Sequence, residues 1–435
     1  MGSTRLSGDA EQDSGPLAVE ISAIVAGGDG LARQADGPVV FVPRTAPGER
    51  VEVELVETHR QWARARTLRI IDPSPDRRDP PCPHYSVCGG CQLQHLEYEA
   101  QAPIKSAIIA DALRRLGQIP LEPPQVVPSE AEFEYRNRVT FVLRRQRGQV
   151  VAGFHAFKNP SKLIDLDRCP LAEAPINRVW AVLRDSWGRK ASLLPAGAEL
   201  RLTLRSTRGG EVGLVVEGGR GEGKPEALLE AVEGLAAIWR LDSKGEAAWY
   251  VGEPVLNERW GSQAVPLAGN AFLQVNRDVG VKLEAYVQEQ CGEVTGQRVV
   301  DAYCGYGLRA LELAWKGARV VGIDTEQHAI ATAHGNAVES GATARFVAAP
   351  VERALSHELP ADLVLLNPPR SGVSEEALKG LVNRPPARVI YVSCDPATLA
   401  RDLKQLSGKF QLAACRAFDM FPQTAHVETV GTLAR

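Results

Sequence analysis

The sequence predicts a multidomain chain: a small β-barrel first, an α+β middle domain next, and a C-terminal α/β domain built on a doubly wound parallel sheet. Three observations support this fold class. At 435 residues the chain exceeds what one hydrophobic core usually serves. Short β-rich runs separated by Gly and Pro fill residues 17–72, which is typical of a barrel. After residue 262, strand-like and helical runs alternate as they do in βαβ units.

The composition narrows the class of protein. Hydrophobic residues make up 44% and charged residues 24% of the chain, values that are ordinary for a globular protein. No apolar run is long enough to span a bilayer. Residues 1–16 are polar and lack the apolar stretch of a signal peptide, so they are predicted to form a disordered tail. We therefore expect a cytoplasmic protein with no membrane partner.

Residues 17–72 are predicted to form the barrel because runs such as VVFV and VEVELV alternate between turn signals. Barrels of the oligonucleotide-binding (OB) type are common in enzymes that act on RNA, although a fold alone assigns no partner. Two basic runs, residues 60–69 and 143–149, are either solvated faces or RNA contacts. The net charge of −3 does not decide between these two interpretations.

A middle domain is predicted over residues 73–261. It begins in the Pro- and charge-rich stretch DPSPDRRDPPCP, which is typical of a domain boundary. The segment YEAQAPIKSAIIADALRRLG predicts a helix that ends at Gly117. The runs RVTFVLRR, AELRLTLRS and EVGLVVEGG predict strands with antiparallel pairing.

Four of the eight cysteines form a candidate metal site. Eight cysteines in a protein expected in the cytoplasm argue against a disulfide framework. Cys82, Cys88 and Cys91 are closely spaced, and Cys169 follows in the middle domain. Four thiolates suffice for a [4Fe–4S] cluster, and they equally suit structural zinc. The spacing does not decide between the two.

The C-terminal domain, residues 262–435, carries a candidate nucleophile in VSCDPATLARDL. The run RVIYVS predicts a buried parallel strand. Asp395 is the expected N-cap and Pro396 the first residue of the next helix. Cys394 therefore lies at the carboxyl end of a strand and at the positive end of a helix dipole, which favours a reactive thiolate. The alternative is a buried structural cysteine.

A nucleoside-binding site is predicted at DAYCGYG, residues 301–307, between the first strand and a helix. Asp324 ends the next strand, where a carboxylate commonly accepts hydrogen bonds from ribose hydroxyls. The full glycine fingerprint of dinucleotide binding is missing, which disfavours NAD. A nucleoside cofactor without a pyrophosphate, S-adenosylmethionine, fits better.

Two further residues are candidates for base recognition and proton transfer. Asn367 begins Asn-Pro-Pro-Arg after a strand; its amide matches the edge of a pyrimidine, but it is also a common turn residue. Glu428 lies on an apolar C-terminal strand, HVETV. Burial there would raise its pKa and suit it to general-base work, unless the side chain faces solvent.

Together these motifs resemble the RNA 5-methyluridine methyltransferases, and the resemblance covers nearly the whole chain. The catalytic domain carries five of the signatures: FLQVN, DAYCGYG, NPPR, SCDPATLARDL and DMFPQTAHVETV. VFVPRTAPGERVEVEL is similar to the family's TRAM barrel, and CPHYSVCGGCQLQHLEYEAQ to its iron–sulfur segment. EYRNRVTF and GFHAFKNPSKLIDLDRCPL match in the middle domain.

The resemblance implies a Rossmann-like, S-adenosylmethionine-dependent methyltransferase domain that modifies carbon 5 of uracil. It assigns Cys394 as the nucleophile that adds to carbon 6 of the base and Glu428 as the general base. It favours a [4Fe–4S] cluster without redox turnover on Cys82, Cys88, Cys91 and Cys169. The residues expected around cofactor and target base are Gln274, Tyr303, Gly305, Gly307, Asp324 and Asn367.

Some positions depart from the family's usual pattern. Asn367 stands where an Asp is more common, and Ala349-Pro350 stands where the family often has an acid. GYGLRALEL also lacks the usual small polar residue and Phe after the glycines. These departures leave the adenine contacts of the cofactor unassigned.

Three functions are compatible with the sequence. The first is formation of 5-methyluridine in 23S ribosomal RNA, because the barrel and cysteine architecture resembles ribosomal members of the family. The second is the same reaction on transfer RNA. The third is a non-catalytic RNA-binding or assembly factor, which the joint presence of Cys394, Glu428 and Gln274 disfavours. A monomer is expected.

Overall fold

The computed structural model describes residues 15–34, 37–242, 245, 247–261, 263–269 and 271–435. Residues 1–14 of the predicted tail lie outside the described residues. Within the described part of the chain, no helix combines the length and apolar character needed to cross a membrane.

The predicted N-terminal barrel is confirmed. It closes in the order β1-β2-β3-β5-β4. Alternate side chains, such as Val40 and Val42, or Val51 and Val53, point inward and fill its core. The strands are β1 (Leu17–Ile24), β2 (Asp29–Ala32), β3 (Val39–Pro43), β4 (Arg50–Thr58) and β5 (Trp62–Asp72).

The segment after the cysteine cluster contributes to the core of the C-terminal domain. It comprises α1 (Tyr98–Ala112), a π-helical turn (Leu113–Gly117) and the short strand β6 (Val126–Val127). Ile109 and Leu113 are fully buried in the core of the C-terminal sheet. The predicted middle domain therefore includes a segment that helps to build its neighbour.

The middle domain is a seven-stranded sheet in the order β13-β12-β11-β10-β7-β8-β9. Its pairing is antiparallel, as predicted, except for the parallel pair β11–β12. Two helices cover one face, where Trp180 stacks on Phe141 with ring centroids 3.8 Å apart. The elements are β7 (Arg138–Gln146), β8 (Gln149–Ala156), β9 (Asn159–Asp165), α2 (Ala174–Ser186), a 3-10 turn (Arg189–Ala191), β10 (Glu199–Ser206), β11 (Val212–Glu217), α3 (Pro225–Ala231), β12 (Leu235–Leu241) and β13 (Ala247–Gly252).

A two-stranded hairpin, β14 (Leu256–Trp260) and β15 (Gln263–Leu267), connects the middle and C-terminal domains. The limit predicted between residues 261 and 262 falls between its two strands. Leu256, Val265 and Leu267 pack in one apolar cluster with Trp239 of the middle domain and Tyr306 of the C-terminal domain. The hairpin therefore belongs to the interface between these domains.

The doubly wound sheet predicted for the C-terminal domain is confirmed, with an antiparallel addition at one edge. The order is β18-β17-β16-β19-β20-β22-β21-β6, and its first five strands are parallel. β22 runs antiparallel to β20 and to β21. The elements are α4 (Arg277–Cys291), β16 (Arg298–Ala302), α5 (Leu308–Trp315), β17 (Arg319–Asp324), α6 (Gln327–Ser340), β18 (Ala344–Ala348), α7 (Val351–Glu358), β19 (Leu363–Leu366), α8 (Glu375–Asn383), β20 (Arg388–Ser393), α9 (Pro396–Leu406), β21 (Gln411–Phe418) and β22 (Glu428–Ala434).

The strand order creates a crevice at the carboxyl ends of β16 and β19. From β16 the chain winds outward through β17 and β18, and it then returns to the other side of β16 with β19 and β20. The connections on the two sides of this point diverge to opposite faces of the sheet, and ligands of doubly wound sheets bind there.

Candidate active site

Cys394 and Glu428 are brought together by the pairing of β20 with β22. The register pairs Ser393 with Thr429, and one further step along both strands places Cys394 opposite Glu428. Directly opposed residues of an antiparallel pair lie about 4.5–5.5 Å apart. Because β22 is antiparallel, the first residue of this strand reaches the same edge of the sheet as the last residues of β20.

The Glu428 side chain is buried, with 5% of its surface exposed. Burial raises the pKa of its carboxyl group to about 7, and the positive charge of Arg370 opposes this rise. At neutral pH the group is therefore divided between its acid and its carboxylate form, which suits a proton acceptor.

The surroundings of Cys394 differ from the expectation based on the helix start. Asp395 caps α9 as predicted, since its carboxylate accepts a hydrogen bond from the Thr398 N–H at 2.8 Å. However, burial and the nearby charge of Glu428 raise the pKa of the Cys394 thiol, and the opposing effect of Arg370 does not cancel them. The pKa of the thiol is therefore raised and not lowered as the helix start alone predicts, and burial is the largest cause.

Arg370 is not among the residues that the sequence predicts for the site. Its charge acts on both Cys394 and Glu428. The backbone of its loop is held by α9, where the Thr398 hydroxyl donates a hydrogen bond to the Arg370 carbonyl at 3.1 Å. Its place directly after the two prolines was the signal that could have identified it.

A cavity of about 730 Å³ opens at the carboxyl ends of β16 and β19. Four residues that the sequence predicts for the cofactor and base site line it: Gln274, Tyr303, Gly305 and Asn367. The cavity lies where the strand order places a ligand, and its size accommodates a nucleoside with an amino-acid side arm. The chain therefore offers a suitable pocket for S-adenosylmethionine.

The glycine turn that borders this cavity is tightly built. Tyr303 adopts a left-handed backbone with φ 66°, an uncommon conformation for a bulky residue. Gly307 starts α5 with φ 72°, and a Cβ atom there would lie 2.5 Å from the Phe346 ring. Gly305 faces open space. Gly307 thus shapes the turn, whereas Gly305 leaves its backbone accessible to a ligand.

Asp324 lies beside the cavity and does not line it. Its two carboxylate oxygens accept hydrogen bonds from the Gly305 N–H at 2.9 Å and from the Glu326 N–H at 3.0 Å. In this structure Asp324 therefore fixes the glycine turn. A ribose could be bound only by the remaining lone pairs of the carboxylate.

All four predicted metal-binding cysteines line one cavity of about 630 Å³ between the cysteine segment and the middle sheet. Each is a free thiol. Burial raises the pKa of all four, to about 11 for Cys169. Within the described ranges, however, no three His, Cys, Asp or Glu side chains are close enough to hold a metal ion as they stand.

The surroundings of these sulfur atoms suit thiolate ligands. The Gly90 N–H points at the Cys88 sulfur, 3.4 Å away. Backbone N–H groups also donate to the sulfur atoms of Cys82 and Cys169. Such hydrogen bonds stabilise metal-bound or cluster-bound sulfur. The donor set fits an iron–sulfur cluster, and it fits zinc as well.

The basic run of the barrel is largely neutralised by ion pairs, whereas the basic run of the middle domain is neutralised only in part. In the barrel, Arg64, Arg66 and Arg69 each form an ion pair across the strand pair β4–β5, with Glu57, Glu54 and Glu52. In the second run, Arg144 pairs with Glu199 at 2.7 Å. The barrel run is therefore not a free positive surface, whereas Arg145 of the second run donates only to backbone carbonyls and keeps its charge without an ion pair among the described residues.

An unneutralised group of arginines lies instead in the middle domain. Arg136, Arg138 and Arg205 form no ion pair with any described residue, and Arg138 is paired with Arg205 across β7 and β10. Both terminal nitrogens of the buried Arg205 lack a hydrogen-bond partner among the described residues. The Arg136 guanidinium lies over the Phe421 ring, 5.8 Å from its centroid. This arginine strip leads towards the edge of the sheet that carries Glu428.

A doubly wound α/β domain with a nucleoside-sized cavity beside a cysteine and a buried acid, joined to a five-stranded barrel, defines an RNA-modifying methyltransferase. Comparison with known proteins makes this specific. The family model described as tRNA (uracil-5-)-methyltransferase matches residues 263–435, and the TRAM domain matches residues 17–68.

Relatives and a solved structure resemble the chain over nearly its whole length. An uncharacterized RNA methyltransferase of Thermosynechococcus vestitus is 33% identical, covering 97% of this chain and 98% of the relative. One from Gloeobacter violaceus is 35% identical, covering 96% of each. The crystal structure of the Pyrococcus abyssi tRNA (uracil-54, C5)-methyltransferase with S-adenosyl-L-homocysteine superposes with a TM-score of 0.76 at 26% identity, covering 96% of this chain and 99% of that one. The chain belongs to the S-adenosylmethionine-dependent RNA uracil-5-methyltransferase family.

Proposed function

We propose that this protein methylates carbon 5 of a uridine in RNA through a covalent adduct between Cys394 and carbon 6 of the base. The observation that carries the proposal is the register of β20 and β22, which places Cys394 opposite the buried Glu428 at the edge of the sheet where Asn367, after the neighbouring strand β19, lines the cofactor cavity. A nucleophile and a proton acceptor at one edge are what substitution at an unactivated pyrimidine carbon requires.

The steps follow from the polarity of the base. The Cys394 thiol first gives its proton to solvent, aided by the positive charge of Arg370, and the thiolate adds to carbon 6 while the electron pair of the 5,6 double bond moves to oxygen 4 as an enolate. When bound, S-adenosylmethionine supplies an electrophilic methyl group, which carbon 5 takes from sulfur. Glu428 then removes the proton from carbon 5, the double bond reforms, and Cys394 leaves as thiolate. The target uridine must leave its stack for Cys394 to reach it.

Other residues are proposed to orient the reactants. Arg370 stabilises the anionic forms of Cys394 and Glu428 electrostatically. The Asn367 amide recognises the polar edge of the uracil, and Gln274 contacts the base or the cofactor from the cavity wall. Asp324, together with the turn at Tyr303, Gly305 and Gly307, is proposed to shape the nucleoside end of the cavity.

We propose that Cys82, Cys88, Cys91 and Cys169 hold a [4Fe–4S] cluster, with zinc as the alternative. Such a group would brace the cysteine segment against the middle sheet. Its cavity does not include Cys394, Glu428 or the cofactor-site residues, so no step of methyl transfer is assigned to it.

The RNA backbone is proposed to pass over Arg136 and Arg138, the partly exposed members of the arginine strip, whereas the Arg205 side chain lies buried beneath them. Partly exposed guanidinium groups without carboxylate partners attract an external anion, and RNA phosphates are the natural one. We propose 23S ribosomal RNA as the substrate. Transfer RNA is the second candidate, favoured by the likeness to the Pyrococcus abyssi enzyme over 99% of that chain.

The test compares Cys394→Ala and Glu428→Gln with the parent on RNA that carries one labelled uridine. Cys394→Ala should lose methylation and keep RNA binding. Glu428→Gln should accumulate the covalent adduct. Mapping 5-methyluridine in ribosomal and transfer RNA from cells with and without the gene identifies the substrate. Full methylation by Cys394→Ala would refute the proposed mechanism.

A further inference from the structure

We propose that residues 419–425, the first part of the connection between β21 and β22, form a positioning element that couples the cysteine segment (residues 82–93) and α1 to Glu428. Gln101 and Lys105 on α1 are then positioning residues for the Glu428 carboxyl group. This inference rests on the proposed role of Glu428 as the general base. We call residues 419–425 the 419–425 loop.

The 419–425 loop is polar and yet buried. Asp419 and Gln423 are both 0% exposed. Gln423 adopts a left-handed backbone with φ 69°, which is unusual for a residue other than glycine. Such a conformation persists only where the surroundings hold it. The loop therefore depends on its hydrogen-bond partners for its shape.

Gln423 is held from two directions. The Gln101 side-chain amide donates to the Gln423 side-chain oxygen at 3.0 Å, and its own oxygen accepts from the Gln423 N–H at 2.9 Å. The backbone N–H groups of Gln92 and Leu93 both donate to the Gln423 carbonyl, at 3.1 and 3.0 Å. Because Gln92 directly follows Cys91, the loop rests on the cysteine segment itself.

The start of the loop is held by a buried ion pair. The Lys105 ammonium donates to an Asp419 carboxylate oxygen at 2.5 Å and to the Phe421 carbonyl at 3.0 Å. The Tyr98 hydroxyl donates to the other Asp419 oxygen at 3.0 Å. Lys105 is fully buried, so breaking this pair would leave a charge in the core.

These contacts reach Glu428 through the backbone. Glu428 pairs with Phe418 across β21 and β22, so the 419–425 loop closes the chain between these two residues. Among the described residues, none donates a hydrogen bond to the Glu428 carboxyl group. Its location relative to Cys394 is therefore set by the strand and by the loop that precedes the strand.

The experiment separates formation of the covalent adduct from its breakdown. Gln101→Met removes both contacts between the Gln101 side chain and Gln423, whereas Gln423→Asn removes only the one made by the Gln423 side-chain oxygen. Asn tolerates the left-handed backbone. Ser106→Ala is the matched control: it removes a buried hydrogen bond of α1, to the Pro124 carbonyl at 2.6 Å, that does not involve the loop. The full-length variants react in a single turnover with S-adenosylmethionine and unmodified RNA, and denaturing gels quantify the adduct.

Gln101→Met and Gln423→Asn should form the adduct at the parental rate and break it down about 10- to 100-fold more slowly, as expected for a displaced reacting group. The slowing in the double variant should be less than the product of the two single effects, because both changes remove the contact between the Gln101 amide and the Gln423 side-chain oxygen. Ser106→Ala should match the parent.

Two results would overturn the inference while Glu428→Gln still accumulates adduct. One is breakdown at the rate of Ser106→Ala in both loop variants. The other is a loss of formation and breakdown in equal proportion, which indicates general structural damage. Absence of adduct in Glu428→Gln would instead overturn the role of Glu428 and, with it, this inference.

Discussion

Replacing Glu428 with Gln should make the protein more stable at alkaline pH and leave its stability nearly unchanged in acid. In the unfolded chain this carboxyl group ionises near its ordinary pKa of 4.5, whereas burial raises the pKa in the folded protein to about 7. The folded state therefore keeps a proton that the unfolded state has lost. The contribution to stability is complete below pH 4.5 and disappears as the pH rises to about 7.

The magnitude follows from this difference in pKa. One pH unit corresponds to about 1.4 kcal/mol, so the ionised Glu428 lowers the free energy of unfolding by about 3 kcal/mol above pH 7. A Gln side chain cannot ionise, so the free energy of unfolding of the variant does not decrease in this way. The difference in unfolding free energy between Glu428→Gln and the parent should therefore grow by about 3 kcal/mol between pH 4.5 and pH 8.

Urea unfolding of both proteins across this pH range measures the difference. Glu375→Gln is the control, because Glu375 is an exposed carboxylate that pairs with Lys379 on the surface. Its difference from the parent should stay nearly flat over the same range. Parallel pH profiles for Glu428→Gln and the parent would show that the Glu428 carboxyl group ionises in the folded protein as it does in water, and the proposed burial effect would be refuted.

Three further predictions concern rate, metal and RNA. Breakdown of the covalent adduct should slow about tenfold per pH unit below pH 7, as Glu428 takes up its proton, and a pH-independent rate would argue against this base. Cys169→Ala should lower the bound iron and the visible absorbance of anaerobically purified protein, and unchanged iron content would exclude Cys169 as a ligand. Arg138→Gln should lower the slope of log Kd against log salt by about 1, whereas Arg66→Gln, which loses an ion pair within the barrel, should not change it.

Much of the fold could be predicted because its signals are local. The alternation of strand and helix after residue 262 gave the doubly wound sheet, since each buried parallel strand is a short apolar run. The period-two runs of residues 17–72 indicated the barrel for the same reason. The position of β22 could not be predicted, because a strand's direction and neighbours depend on distant pairings that leave no trace in its own sequence.

The site residues, like the fold, could be predicted where their signals are local and could not be predicted where they depend on distant residues. Cys394 stands out because its neighbours Asp395 and Pro396 mark a helix start. The raised pKa of the Cys394 thiol leaves no such local signal, because it depends on burial and on Glu428, which is 34 positions away in the chain. The basic run of the barrel was ambiguous for the same reason, since the glutamates that neutralise it lie on the neighbouring strand β4.

Because β22 pairs antiparallel with β20, the proposed chemistry is sensitive to a shift in the register of these two strands. Successive side chains of a strand point to opposite faces, so a shift of one residue in the register of β22 would turn that carboxyl group away from Cys394 without dismantling the sheet. The register of this strand is thus as necessary to the proposed reaction as the acid itself.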